Sequence, residues 1–152
     1  MINSRDIAML DPEAREACDS QVRLCRDIGI ELLVTSTYRD AESQDSLYAI
    51  GRTAQQNRHA VTNARGGESW HNYKCAWDVV PLVGGKCVWE DPQLWKRVIE
   101  CGKAAGANSI GAEWKSFPDR PHFGLIPKMA DGSAISLAEA KRRWAERGTV
   151  FA

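Results

Sequence analysis

The sequence predicts an α+β fold in one small domain. Three observations carry this reading. Two Asp-Pro pairs and one Ser-x-x-Glu box open stretches with helical apolar spacing. Two apolar, β-branched runs, at 31–37 and 75–82, have the composition and length of strands. The two kinds of stretch connect in a mixed order, with helices flanking a few strands. The length, 152 residues, fits one domain with a sizeable core.

The elements follow in order. Asp11 is a helix N-cap with Pro12 at the first helical position. Ala14, Ala17, Cys18, Val22, Cys25 and Ile28 keep helical spacing, and Gly29 ends the helix. ELLVTST (31–37) reads as a buried strand. Asp40 caps a second helix, AESQDSLYAI, stopped by Gly51. Arg52 to Gly67 is polar and without period, a long surface loop of the kind that is functional or mobile. CAWDVVPL (75–82) reads as a strand that Pro81 ends, and GGKCVW (84–89) as a turn and a short strand. Asp91-Pro92 opens a third helix, PQLWKRVIECGKAAG. Loops and short strands are expected over 107–127. Ser136 and Glu139 form a capping box for a last helix through Arg147.

Composition narrows the function classes. Lys+Arg and Asp+Glu are both 20, so no basic field favours nucleic acid or a membrane surface. No stretch approaches the roughly 20 apolar residues of a membrane span. Residues 1–20 lack the basic start and apolar run of a secretory signal, so synthesis in the cytoplasm is expected. Five cysteines without a CxxC pair do not make a disulfide framework. Cys18 and Cys25, seven apart on one helix, read as small core residues.

Two stretches carry chemistry. ESWHNYKCAWDVV (68–80) places His71 ahead of Asp78, a carboxylate inside an apolar run. EWKSFPDRPHFGL (113–125) holds His122 with Asp119 three residues before it and Pro121 restricting the backbone between them. Two imidazoles and one carboxylate make a three-ligand set for a catalytic Zn²⁺ that keeps a fourth position open. Such an ion lowers the pKa of its water from about 16 to about 7. A second carboxylate, Asp119, is then the candidate for moving a proton to a leaving amine. Plain alternatives stand beside each assignment. His71 reads equally as a loop histidine beside Trp70 and Tyr73, Asp78 as a strand-end cap, and His122 as a partly buried histidine satisfied by Asp119. His59 has no partner motif and reads as a surface residue.

SWHNYKCAWD resembles the Ser-x-His-x-x-Gly-x-Ala-x-Asp motif of the M15 zinc peptidases. FPDRPHF resembles their second motif, Asp/Glu-x-x-His. TSTYRDAESQDSLYAIGRT (35–53) resembles the arginine segment of the family, with Arg39, Gln44, Leu47, Tyr48 and Gly51-Arg52-Thr53 in order. EWKSF is similar to the approach to the second motif in the L-alanyl-D-glutamate endopeptidase branch. The resemblance covers residues 31–125.

It implies a short, mainly antiparallel sheet flanked by helices, and a monomeric Zn²⁺ peptidase acting on peptidoglycan stem peptides. His71, Asp78 and His122 would be the metal ligands and Asp119 the general acid/base. Arg39 would bind the scissile carbonyl or a neighbouring carboxylate, where a fixed guanidinium suits a developing oxyanion. Gln44 and Ser69 match polar positions lining the site. Without the resemblance, Arg39 reads as a surface ion pair with Asp40 or Glu42, Gln44 as an exposed helix residue and Ser69 as a turn hydroxyl. Trp70, Trp77 and Trp114 are expected in the site walls, and Lys141-Arg142-Arg143 as a solvated helix face. Two departures stand out: Lys74 occupies the motif glycine, and Ile110 and Ala112 replace a Trp and one Gly, altering the expected pocket wall. The expected role is that of an endolysin. It would have no separate wall-binding module, stay in the cytoplasm until a holin opens the membrane, and cut the L-alanyl-D-glutamate bond. A D-Ala-D-Ala carboxypeptidase or dipeptidase, and a non-catalytic wall-binding zinc protein, are the alternatives.

Overall fold

A computed structural model describes residues 1–152. Its helices are α1 (Pro12–Asp27), α2 (Ala41–Ala49), α3 (Pro92–Ala104) and α4 (Leu137–Arg147). Its strands are β1 (Glu31–Ser36), β2 (Ala76–Val83), β3 (Lys86–Cys87), β4 (Ser109–Ile110) and β5 (His122–Gly124). The sheet runs β1-β2-β5-β4, with β3 also paired to β2, and every strand pair is antiparallel. The expected α+β class and flanking helices are therefore observed.

Helix starts follow the caps. Asp40, Asp91 and Ser136 each accept a hydrogen bond from a backbone N–H three residues on, satisfying a donor the first turn leaves open. Asp11 stands at the N-cap of α1 but makes no cap bond. Its carboxylate accepts from the Thr149 hydroxyl at 2.7 Å, which ties the C-terminal segment to α1. The box at α4 forms by half, because the Glu139 side chain turns to Arg142 and Arg143.

The core lies where α1 and α3 cover one face of the sheet. Ala14, Ala17, Cys18 and Cys25 of α1 meet Trp95, Val98 and Cys101 of α3, with Trp77 and Val79 of β2 beneath. Gln21 is fully buried among them. It accepts from Trp77 Nε1 at 2.7 Å and donates to the Val98 carbonyl at 3.2 Å, joining α1, β2 and α3. Cys18 and Cys25 are core residues, and burial pushes the Cys18 thiol up to about 12, where it is inert.

Two strand expectations are corrected. β1 is not a buried strand. It is an edge strand with β2 on one side only, and Glu31 and Leu33 face solvent. β2 does not end at Pro81. It continues to Val83, because the Pro81 carbonyl, and so its nitrogen, faces away from β1. On that side the β5 pairing has stopped and β3 has barely begun, so a missing N–H breaks no strand pair.

Replacing Gln21 by Leu leaves the buried Trp77 N–H without an acceptor. Urea unfolding is expected to show a loss of about 1–3 kcal/mol. An unchanged midpoint and slope would contradict this bridging role.

Candidate metal centre

Sheet register assembles half of the site. Asp78 stands opposite His122 across β2 and β5, and opposite Ser36 across β1 and β2. Directly opposed residues project on one face of a sheet, so Ser36, Asp78 and His122 form a row. A bulge between Val34 and Ser36 sets Ser36 rather than Thr35 opposite Asp78. Trp77, next to Asp78, points the other way into the core, so it is not a wall of the site as expected.

His71 arrives on a short 3₁₀ turn, Trp70–Tyr73. The Ser69 hydroxyl accepts from the His71 N–H, and Asn72 Oδ1 accepts from Gly67 and Ser69 N–H. Asn72 Nδ2 donates to the Arg39 carbonyl, and the Arg39 N–H donates to the His71 carbonyl. The Ser69 hydroxyl is thus the turn cap, and it also lines the cleft described below. Asn72 was missed, though Ser-x-x-Asn is the same capping pattern read at Ser136.

The donor set fits a cation. One ligand atom each from His71, Asp78 and His122 lies within 4.8 Å of the others. His71 Nδ1 is 2.7 Å from the Thr37 carbonyl, which can only accept, so that nitrogen carries a proton. The other ring nitrogen, Nε2, faces Asp78 Oδ1, 3.1 Å away, and His122 Nδ1 lies 3.6 Å from the same oxygen. Two ring nitrogens this close to one carboxylate oxygen call for a proton or a cation between them. Zinc bond lengths of about 2.0–2.2 Å in tetrahedral geometry put neighbouring ligand atoms about 3.4 Å apart, inside the observed range. His122 Nε2 is buried without a hydrogen-bond partner, so packing against Trp114, with ring centroids 4.6 Å apart, holds this imidazole.

Electrostatics divides the two acids. Burial works against ionisation of Asp78, but His71, His122 and Arg39 overcome it and hold its pKa down at about 2. Burial and the nearby Asp78 raise Asp119 to about 6, against His71 and Arg39. Burial, then His71, depresses His122 to about 3. Asp119 follows the turn Gly111–Glu113. Its N–H donates to the Gly111 carbonyl at 2.9 Å, and its own carbonyl accepts from the His122 N–H at 3.2 Å. Gly111 has no room for a side chain: a Cβ there would collide with the Asp119 carbonyl and lie 2.7 Å from His122 Cβ.

Arg39 makes no ion pair with Asp40 or Glu42. Its Nη1 donates to Gln44 Oε1 at 2.8 Å and its Nη2 to Ser36 Oγ at 3.0 Å, while Asp40 caps α2. Gln44 is buried and also donates to the Ala64 carbonyl, so its amide braces Arg39 from behind and does not line the cleft. Arg39, Ser69, His71, Asp78, Asp119 and His122 all border one cleft of about 760 Å³. Val61–Ala64 of the long loop, with Trp70, Trp114 and Phe117, form its other walls. Ile110 and Ala112 do not border it: Ile110 pairs with Phe123 on the core side. His59 is exposed and outside the cleft. Arg142 and Arg143 are bound to Glu139 and Glu146, whereas Lys141 faces the cleft instead of being merely solvated.

Residues 7–102 match the family described as VanY, D-alanyl-D-alanine carboxypeptidase. The peptidoglycan L-alanyl-D-glutamate endopeptidase CwlK of Bacillus subtilis (strain 168) is 35% identical over 127 residues, covering 78% of this chain and 74% of that protein. The chain belongs to the VanY peptidase family. Solved structures share the fold of this VanY-family chain. The L-Ala D-Glu endopeptidase ChiX of Serratia marcescens has a TM-score of 0.57 at 21% identity, covering 82% of this chain and 88% of that one. A mutant of the vancomycin-resistance D,D-pentapeptidase VanY from a VanB-type cassette, in complex with Zn(II), has a TM-score of 0.59 at 13% identity, with 92% and 80% covered.

In this VanY-family chain Lys74 ends the His71 turn with φ 57°, in the left-handed region. The motif position therefore does require positive φ, and lysine is strained there. Its ammonium lies 4.9 Å from the Tyr38 ring and 5.9 Å from that of Trp144, a cation–π contact that offsets part of the strain. Lys74→Gly and Lys74→Ala both lose that contact, but only Gly is relaxed at this φ. Lys74→Gly is expected to exceed Lys74→Ala in stability by about 1 kcal/mol in thermal melts. Equal stability of the two variants would remove the strain argument.

Proposed function

We propose that the protein is a zinc-dependent peptidoglycan endopeptidase that hydrolyses the L-alanyl-D-glutamate bond of stem peptides. The observation that carries the reading is one cleft holding the His71, Asp78 and His122 donors together with a spare carboxylate, Asp119, and a braced cation, Arg39. The identity to CwlK, whose name states that bond, supports the substrate. The zinc-bound VanY structure supports the metal. The description of the matching family favours a second reading, a carboxypeptidase releasing D-alanine. A wall-binding protein without activity has no use for a spare carboxylate, Asp119, on the same cleft as the three donors.

His71, Asp78 and His122 would hold the zinc. When bound, it supplies a Lewis acid for the scissile carbonyl and a water acidified toward neutral pH. Arg39 is fixed by Gln44 and Ser36 and turns its positive charge to the carbonyl oxygen as negative charge develops there. Asp119 accepts a proton from the attacking water at a carboxylate oxygen and delivers it to the leaving amine nitrogen. Trp114 and Phe117 narrow the space around the reacting groups and limit bulk water. The proposal includes action as a monomer. It also includes an endolysin role, in which the protein waits in the cytoplasm until a holin opens the membrane.

Mass spectrometry of digested peptidoglycan decides the bond. New N-terminal D-glutamate is expected, and released D-alanine would favour the second reading. Asp119→Ala is expected to retain one zinc by elemental analysis while losing about 10²–10⁴ in rate. Full activity in that variant would remove the assigned role. Expression with a co-induced holin is expected to clear a culture and expression alone to leave it turbid. Equal turbidity in both would count against the endolysin role.

A further inference from the structure

Within the cleft, one basic side chain remains unassigned. Lys141 lies on α4 four residues after Leu137, so the two share a helix face, and both border the cleft. A Cβ placed on Gly67 would be 3.4 Å from Lys141 Cε, which sets the stem of this lysine over the segment leading into the His71 turn. Its neighbours Arg142 and Arg143 are neutralised by Glu139 and Glu146, but Lys141 joins none of the ion pairs. The other cation on the cleft, Arg39, donates one hydrogen bond each to Gln44 and Ser36 and faces Asp78 and Asp119, beside the candidate metal donors. Glu68, an acid on the same rim, has an oxygen accepting from the Arg65 N–H. Lys141 is therefore a cleft cation without a hydrogen-bond or ion-pair partner in the protein, placed outside the cluster of donors.

We infer that Lys141 is a specificity residue that binds the free α-carboxylate of the D-glutamyl residue on the leaving side of the scissile bond. This rests on the endopeptidase reading above. In a stem peptide D-glutamate continues through its γ-carboxyl, so its α-carboxylate hangs from the carbon bonded to the scissile nitrogen. That charge enters the cleft with the substrate, where Arg39 is assigned to the scissile carbonyl and Lys141 is the side-chain cation that remains for it. When the carboxylate is amidated, as in D-isoglutamine, the partner for the ammonium is lost. The enzyme then distinguishes free-acid from amidated stems by charge, with no change at the reacting groups.

Two synthetic stem peptides that differ only in D-glutamate or D-isoglutamine at this position provide the test, with kcat and KM measured on the zinc-loaded enzyme. The wild type is expected to favour the acid by about tenfold in kcat/KM, mainly through KM, with the preference shrinking as salt is added. Lys141→Gln is expected to bring the ratio near one, and Lys141→Arg to keep most of it. Lys141 is exposed and makes no protein hydrogen bond, so the Gln variant is expected to melt with the wild type. Equal cleavage of both peptides by the wild type, or a ratio unchanged in Lys141→Gln, overturns the assignment and leaves the endopeptidase reading standing. Absence of any cut at L-Ala–D-Glu in either peptide overturns both.

Discussion

The pairing of Asp78 with His122 across β2 and β5 is the constraint on which the site depends. In an antiparallel sheet, side chains alternate between faces, so a slip of one residue would put Trp77 or Val79 in place of the carboxylate. The slip is opposed from the other side, where Trp77 and Val79 are fully buried against α1 and α3 and Trp77 is bonded to Gln21. The core face thus sets the register, and the register sets the donors. A lone carboxylate so deeply placed would be costly. Two imidazoles and a guanidinium surround this one, and their field holds it ionised.

The remaining groups are held from behind by neutral partners. The Thr37 carbonyl fixes the tautomer of His71, and Thr37 in turn donates to the Asp6 carbonyl. Ser36 and Gln44 fix the fork of Arg39, and Gln44 ties it to Ala64 in the long loop. Neutral acceptors position a guanidinium without cancelling its charge, whereas the surface ion pair with Asp40 or Glu42 would have cancelled it. The loop wall is bound to the same elements. Arg52 donates to the Thr62 carbonyl and stacks on Tyr48, and the Gly66 N–H donates to Asp45. Pre-organisation of this kind lowers the reorganisation needed when charge develops.

Some of this was legible in the sequence, for local reasons. A carboxylate in an apolar run and an Asp-x-x-His turn held by proline are anomalies visible within a few residues, so Asp78, Asp119 and His122 stood out. Helix starts were legible because caps are local chemistry. What failed depended on partners far along the chain. Nothing near Glu31–Ser36 says that β1 lies at an edge, and nothing near Pro81 says that its nitrogen faces a gap between strands. Trp77 looked like a wall residue because it adjoins Asp78, a candidate ligand, but alternation along the strand sends it to the other face. Gln44 looked like a contact for substrate, and its amide is spent on Arg39 and Ala64. Lys141 was hidden in a run of three basic residues whose other two members are paired on α4.

The departures from the family pattern follow the same division between faces. Ile110 and Ala112 replace larger and smaller residues on either side of Gly111, yet Ile110 is buried against the sheet and Ala112 packs at the edge of the core. Both positions therefore belong to the core side and not to the cleft wall. Gly111 between them has no room for a side chain, since its α-carbon lies against the Asp119 carbonyl and the His122 side chain. The Asp119 backbone and the His122 side chain both lie within contact of this one residue. A methyl group there would push against both Asp119 and His122. The chain accordingly varies on both sides of this glycine and keeps the glycine itself, because the neighbours contribute volume and Gly111 contributes the absence of it.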